Sequence, residues 1–340
     1  MLKKTLFFSV FLFSVMFLSN LVLAQKNTIN DNVSIAEKSD IINILKDPKY
    51  LLGFDVYMAE EGVPNLPLTI KRRIDYNQTI NSPAQWQLAQ WNNYNNLIED
   101  AIYSRRESFH QYQTIKGNLF SVNPIDGVVK LVLNTSSEYG HNKINPNNPR
   151  QDGQKWPHLL ISQTMDEKAV PVFSAQEYYM RLKYQIDSVK NNHTSTTYNK
   201  SIHSAQFQWF ISVNNQNSES KGYGDYFWFG FSFYDYRYDY SPFYANKDIN
   251  TTGKFIYMPD MKEVLGEQNK TVIGQLKLVQ IPIKEYLKKA FELAKESGFL
   301  KETNWEDLYI GHTNIGWEVP GSFDVASTLL DMAILRKTEM

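Results

Sequence analysis

The sequence predicts an all-β protein, two sheets packed as a sandwich, with a short N-terminal helix and one helical insertion near residues 282–298. Three observations carry that reading. From about Thr69 onward the chain breaks into short segments of alternating polarity, divided by clusters of Asn, Gly, Pro and Ser. One of these, residues 226–237 (YFWFGFSFYDYR), sets Phe227, Phe229, Phe231 and Phe233 at strict period two. Four Phe on one strand face must be core. Finally, 340 residues with 42% apolar side chains can bury a core large enough to need no disulfide, and the chain has no Cys.

The N-terminus reads as an export signal. Lys3 and Lys4 precede an apolar run over residues 6–18, and Val22-Leu23-Ala24 supply small or tolerated residues for cleavage, so residues 1–24 are expected to be a signal peptide. The run is too short, and lacks the basic flank, for a membrane anchor. A mature chain starting at Gln25 has no Cys for a lipid anchor, which points to a secreted or periplasmic protein of bacterial type. Residues 25–66 are expected to be an N-terminal extension, in which Ile35, Ile41, Ile42 and Leu45 have helical spacing before Pro48. Residues 67–340 then form a single β-sandwich domain.

Strands are expected at residues 86–91, 128–134, 158–163, 178–188, 205–214, 226–237, 275–280, 308–312 and 325–335. Three of them divide into an apolar and a polar or aromatic side. Opposite the Phe ladder lie Tyr226, Trp228, Gly230, Ser232 and Tyr234. On residues 178–187 Tyr178, Met180, Leu182, Tyr184 and Ile186 oppose Tyr179, Arg181, Lys183, Gln185 and Asp187. On residues 205–214 Phe207, Trp209, Ile211 and Val213 oppose Gln206, Gln208, Phe210, Ser212 and Asn214. Residues 282–297 (PIKEYLKKAFELAKES) form a helix with Leu287, Ala290, Phe291 and Ala294 on one face and Gly298 as its stop. Thr303 to Glu306 has capping-box spacing before another short turn. Asn-rich stretches over residues 139–154 and 238–250 read as long loops.

The strand order, with VVKLVLN after Asp126-Gly127, then WPHLLISQ, YMRLKYQ, FQWFIS, FWFGF and VASTLLDMAIL, resembles that of concanavalin A-like jelly-roll domains, common in secreted bacterial lectins, glycoside hydrolases and polysaccharide lyases. The resemblance covers residues 86–336. It implies a carbohydrate ligand, but it carries over no catalytic residues. Glucanases of this fold have two Glu flanking an Asp on one strand, where this chain has Phe233-Tyr234-Asp235-Tyr236-Arg237. The RxxxELR and QIH strings of alginate lyases are also absent.

Composition excludes several partners. With 35 basic and 36 acidic residues there is no basic field for nucleic acid, and no stretch after the signal could span a bilayer. Six His without an HxH or HExxH pair, and no thiol, give no zinc site. No cofactor is expected; a structural calcium held by loop oxygens leaves no sequence signature and stays open. The remaining chemistry is carbohydrate recognition, which needs flat aromatic rings against sugar C–H faces and planar polar groups at the hydroxyl rim. Trp228, Tyr226, Tyr234, Tyr179, Arg181, Lys183, Gln206 and Gln208 are the expected binding set, placed on one sheet face, a glycan or polysaccharide being the partner. A lyase in the same groove would draw on His158, Tyr179, Arg181, Gln163 and His312. A hydrolase would draw on Asp235, Glu318 and Asp324. Two plainer readings stand beside these: Glu318 and Asp324 as a solvated turn around Pro320-Gly321, and Asp235 with Arg237 as a structural ion pair. A structural protein of the cell envelope, using the aromatic face as an interface, is the third functional class.

Overall fold

The computed structural model describes residues 41–58, 70–76, 82–98, 101–138, 149–165, 170–248 and 252–338. The signal-peptide reading of residues 1–24 lies outside them. In chain order the strands are β1 Ile41–Asn43, β2 Phe54–Met58, β3 Ile70–Ile74, β4 Trp86–Trp91, β5 Ile102–Arg106, β6 Phe109–Gln113, β7 Leu119–Asn123, β8 Val128–Asn134, β9 His158–Thr164, β10 Glu177–Asn191, β11 Gln206–Asn215, β12 Tyr226–Asp235, β13 Tyr244–Lys247, β14 Phe255–Met258, β15 Lys277–Pro282, β16 Leu308–Glu318 and β17 Phe323–Lys337. The α-helices are α1 Thr135–Glu138, α2 Met261–Leu265 and α3 Lys284–Glu296.

Two sheets form the sandwich. One runs β15-β10-β17-β8-β7-β6-β5, with β1 paired to β17; the other runs β13-β14-β12-β11-β16-β9-β4-β2-β3. Pairing is antiparallel except for β12 with β14 and β2 with β4. This is the two-sheet jelly-roll sandwich expected from the alternation. Among the described residues no helix is long and apolar enough to cross a membrane.

The period-two ladders decide what faces inward. Phe227, Phe229 and Phe231 are fully buried, as are Trp209, Met180, Leu182, Tyr184 and Ile186. Tyr184 of one sheet meets Phe233 of the other at a ring separation of 5.1 Å, and Phe120 meets Phe54 edge-on at 4.7 Å. Trp317 on β16 donates its indole N–H to Ser327 Oγ on β17 at 2.9 Å, which satisfies the one polar atom of a wholly buried ring across the sheets.

Helix α3 forms where expected. Leu287, Ala290, Phe291 and Ala294 are its buried side, and Tyr286 reaches the inner rings Phe229 and Phe231. Its first turn is capped from outside: Glu177 on β10 accepts from the Lys284 backbone N–H at 2.9 Å. Gly298, at φ 84°, ends it.

Three expectations change. The helix proposed over residues 34–45 is not seen at its described end: Ile41–Asn43 is a strand paired with Leu335–Lys337, and residues 34–40 lie outside the described part. Ile41 and Ile42 are exposed, while Leu45 enters the core. A spacing that fits a helix face fits equally a short strand that turns inward at its end. β1 and β2, inside the stretch read as an extension, are members of the two sheets. The capping box is one residue later than expected, between Asn304 and Asp307, because Thr303 is buried and its Oγ1 accepts from Asn215 Nδ2.

The connection between β10 and β11 carries two stacked imidazoles, His193 and His203, with centroids 4.2 Å apart. Each ring accepts a backbone N–H, His193 Nε2 from Ser322 at 2.8 Å and His203 Nδ1 from Asn199 at 3.0 Å, so both must be neutral at those atoms. Burial pushes His193 down to about 4, with the neighbouring His203 adding to the effect, and burial lowers His203 as well. An unfolded imidazole titrates near 6.5, so the unfolded chain takes up protons first. Their contribution is complete above that value and is lost as pH falls towards about 4. Melting temperature is expected to decline across this window, and His193→Gln to flatten the decline; an unchanged profile in that variant would refute the assignment.

Candidate functional site

The outer side of the nine-stranded sheet is set by the inward phase of β11 and β12. Outward residues meet their neighbours in rows across the strands, and on β12 the phase changes at the pairing irregularity beside Phe207/Gln208, so that Asp235 joins a row. One row joins Asp235, Gln206, Glu318, His158 and Trp91 on β12, β11, β16, β9 and β4. Another joins Trp228, Ser212, His312 and Thr164. Between these rows small and large side chains alternate, Ser232, Gln208, Gly316, Leu160 and Ala89 in one row and Gly230, Phe210, Asn314, Ser162 and Gln87 in the next. The band forms a shallow trough, low at the Gly, Ser and Ala positions and filled at Gln208, Phe210 and Leu160, which are buried. From Gln206 to Ser212 it extends about 20 Å along the strands.

The first corner is a histidine held by two tryptophans. Trp156 stacks on His158 at 5.8 Å, and Trp91 meets it edge-on at 5.7 Å. His158 Nδ1 lies 2.9 Å from the Trp156 carbonyl oxygen, which can only accept, so Nδ1 carries a hydrogen. Nε2 then faces Glu318 Oε2 at 3.3 Å, and both side chains are partly exposed. Beside it, the Trp156 indole N–H has no hydrogen-bond partner among the described residues.

The second corner is apolar with polar gaps. Trp228 is anchored by its indole N–H to Thr252 Oγ1 at 3.3 Å, and Tyr226 and Phe210 meet it edge-on. His312 lies 6.2 Å from Trp228, with Nδ1 3.3 Å from Thr164 Oγ1. Burial pushes His312 down to about 4, so at neutral pH it is an uncharged donor and acceptor. Ser212 Oγ and Asn214 Oδ1 are buried here without hydrogen-bond partners among the described residues.

The expected binding set does not gather on one surface. Tyr226, Trp228, Gln206 and Gln208 lie on the trough side. Tyr179, Arg181 and Lys183 are on β10, in the other sheet, facing away on the opposite side of the sandwich, with Arg181 ion-paired to Asp331 at 2.6 Å. Similar alternation in three strands cannot tell which strands share a sheet. Tyr234 also departs: the irregularity in β11/β12 pairing at Phe207/Gln208 inserts a residue, so Tyr234 pairs with Phe207 and packs on the core beside Trp317. Its phenol is pushed up to about 12 by burial.

Of the candidate catalytic groups, His158, Glu318 and His312 share the trough, and Tyr179 does not. Gln163 points inward and is fully engaged, its amide bridging the backbone N–H and C=O of Lys46. Asp235 is buried against Arg237, with Nη2 to Oδ2 at 2.6 Å and Ser204 Oγ donating at 2.6 Å. Burial alone would raise its carboxyl, but Arg237 and Ser204 hold it below the usual range. It is a structural ion pair. Asp324 lies on the other sheet, where Ser136 Oγ donates to it at 2.7 Å, because the chain changes sheets over residues 319–322. Glu318 and Asp324 are strand residues on opposite surfaces, and the paired carboxylates of a hydrolase do not form from this set.

No family model matches the chain, and no curated protein matches it. Several solved structures align with it at low identity. Endoglucanase cel12A from Rhodothermus marinus aligns at TM-score 0.38 and 9% identity over 70% of this chain and 99% of that one. The endo-1,4-β-glucanase CelB2 aligns at 0.39 and 5%, over 71% and 98%. The family 11 xylanase from Neocallimastix patriciarum aligns at 0.34 and 8%, over 70% and 96%.

Trp91 and Trp156 were not assigned a role from sequence. Their signal was present: in WQLAQW, Trp86 and Trp91 are five apart and must lie on opposite faces. Trp86 is the buried one. The trough also depends on Gly230, where an added Cβ would come within 2.3 Å of the Phe210 ring. Gly230→Ala is expected to destabilise the protein by about 1–3 kcal/mol in urea denaturation through overpacking. A change within about 0.5 kcal/mol would mean the ring is free to move.

Proposed function

We propose that this protein binds a polysaccharide in the trough on the outer side of the nine-stranded sheet. The observation that carries the proposal is the pairing of two aromatic corners, Trp91 with Trp156 and Trp228 with Tyr226, with hydrogen-bonding atoms at Trp156, Ser212 and Asn214 that are unpaired among the described residues. Unpaired buried polar atoms are costly, and sugar hydroxyls can satisfy them while ring C–H faces cover the indoles. Export through the N-terminal signal segment would bring the mature chain to extracellular polymers.

A second reading is favoured by one contact. The contact of His158 Nε2 with Glu318 Oε2 at 3.3 Å supports a general-acid role for this pair toward a glycosidic oxygen bound beside it. A hydrolase also requires a second carboxylate, and Asp235 is committed to Arg237.

The two readings separate by experiment. In affinity electrophoresis with neutral and uronate-rich polysaccharides, Trp228→Ala and Trp91→Ala should each weaken binding, by about tenfold for a stacked aromatic contact. Tyr179→Ala, on the opposite surface, should leave binding intact. Full retention by both tryptophan variants would overturn the trough. If the polymer is cleaved, reducing ends or ultraviolet-absorbing unsaturated ends will accumulate, and Glu318→Gln should abolish them without abolishing binding.

A further inference from the structure

Beyond the Trp228 corner, the loop before β12, the turn before β14 and the segment after α3 line an open, solvent-facing cavity of about 560 Å³. Three lysines line it: Lys221, Lys254 and Lys301. They outnumber the two lining carboxylates, Asp225 and Glu302. Lys254 is already engaged, with Nζ 2.6 Å from Asp225 Oδ1 and 5.0 Å from the Tyr226 ring centre. Lys221 and Lys301 are exposed and make no ion pair with described residues. In a chain of net charge −1 this surplus is local, not part of a general basic field.

The cavity is joined to the trough by shared residues. Thr252 lines it and also accepts the Trp228 indole N–H. Lys254 lines it and also covers Tyr226. Tyr223, on the cavity wall, is 63% exposed and offers a further ring face. A polymer lying along Trp228 and Tyr226 would therefore present its next substituents to Lys221 and Lys301.

We propose that this cavity binds an anionic substituent, a carboxylate or a sulfate ester, of the polysaccharide in the trough, so that the preferred ligand is an acidic polymer. The proposal rests on the polysaccharide reading given above. Ammonium groups suit either anion as point charges, and their exposure makes the attraction sensitive to salt. It should collapse at an ionic strength of about 1 M, where the screening length is about 3 Å.

The test is calorimetric titration of the whole mature chain with three probes: oligogalacturonate for the carboxylate, sulfated galactan oligosaccharide for the sulfate, and neutral gluco- or xylo-oligosaccharide. Lys221→Ala/Lys301→Ala should weaken binding of at least one acidic probe about threefold to tenfold and leave the neutral probe unchanged. Which acidic probe responds identifies the anion. Lys183→Ala/Lys190→Ala removes the same charge from the other sheet and should change neither. If the control weakens acidic binding equally, or if the cavity variant binds acidic probes as the wild type does, the cavity assignment is wrong. Neutral oligosaccharides bound in a Trp228-dependent way, with no acidic preference, would leave the trough standing and the cavity refuted. Failure of all three probes would overturn both.

Discussion

The arrangement of the outer surface depends on the inward phase of β12. Phe227, Phe229 and Phe231 have nowhere to go but the sandwich interior, where Phe229 and Phe231 meet Tyr286 of α3 and the next rung, Phe233, meets Tyr184 of β10. Moving that strand by one residue would put four Phe in water and Trp228 and Tyr226 in the core. Because β11 pairs with β12 in fixed register, and β16 with β11, the same choice sets Gln206, Glu318 and His158 outward. The site is thus determined by a hydrophobic constraint several strands away from its chemistry.

That dependence explains which parts of the structure were legible. Nine strands and α3 could be placed because each carries a strong internal period. The strands that escaped notice, such as β5 (IYSRR) and β3 (IKRRI), are short or edge strands whose polarity does not alternate; β5 is exposed along its whole length. Faces could be read within a strand, but sheet membership could not. Tyr179 and Trp228 both oppose apolar ladders, and alternation alone would place them together. They lie on opposite sides of the molecule, since β10 and β12 supply facing walls of one core. Tyr234 illustrates a finer limit: one inserted residue reverses its side, and nothing in FSFYD marks where the insertion falls.

Short residues contribute as much to the trough as aromatic ones. At Gly230 the missing Cβ gives the Phe210 ring its resting place, and at Ser212 a small side chain lets Trp228 and His312, two strands apart, lean to within 6.2 Å of each other. The aromatic excess of the composition, 21 Tyr, 20 Phe and 7 Trp, therefore serves two ends. Phe dominates the interior, which no disulfide supports. Trp and Tyr outside it need a polar partner for one atom and leave a flat face free.

The two histidines of the trough differ in what surrounds them, and this gives the surface a direction. His312 has Thr164 and Trp228 beside it and no carboxylate in contact, so burial removes its charge. His158 has a carbonyl oxygen on Nδ1, which therefore carries a hydrogen, and Glu318 3.3 Å from Nε2. The carboxylate–imidazole contact is therefore confined to the Trp91 and Trp156 corner, and the same sheet register that aligns the rows keeps Glu318 one strand from His158 and three rows from His312.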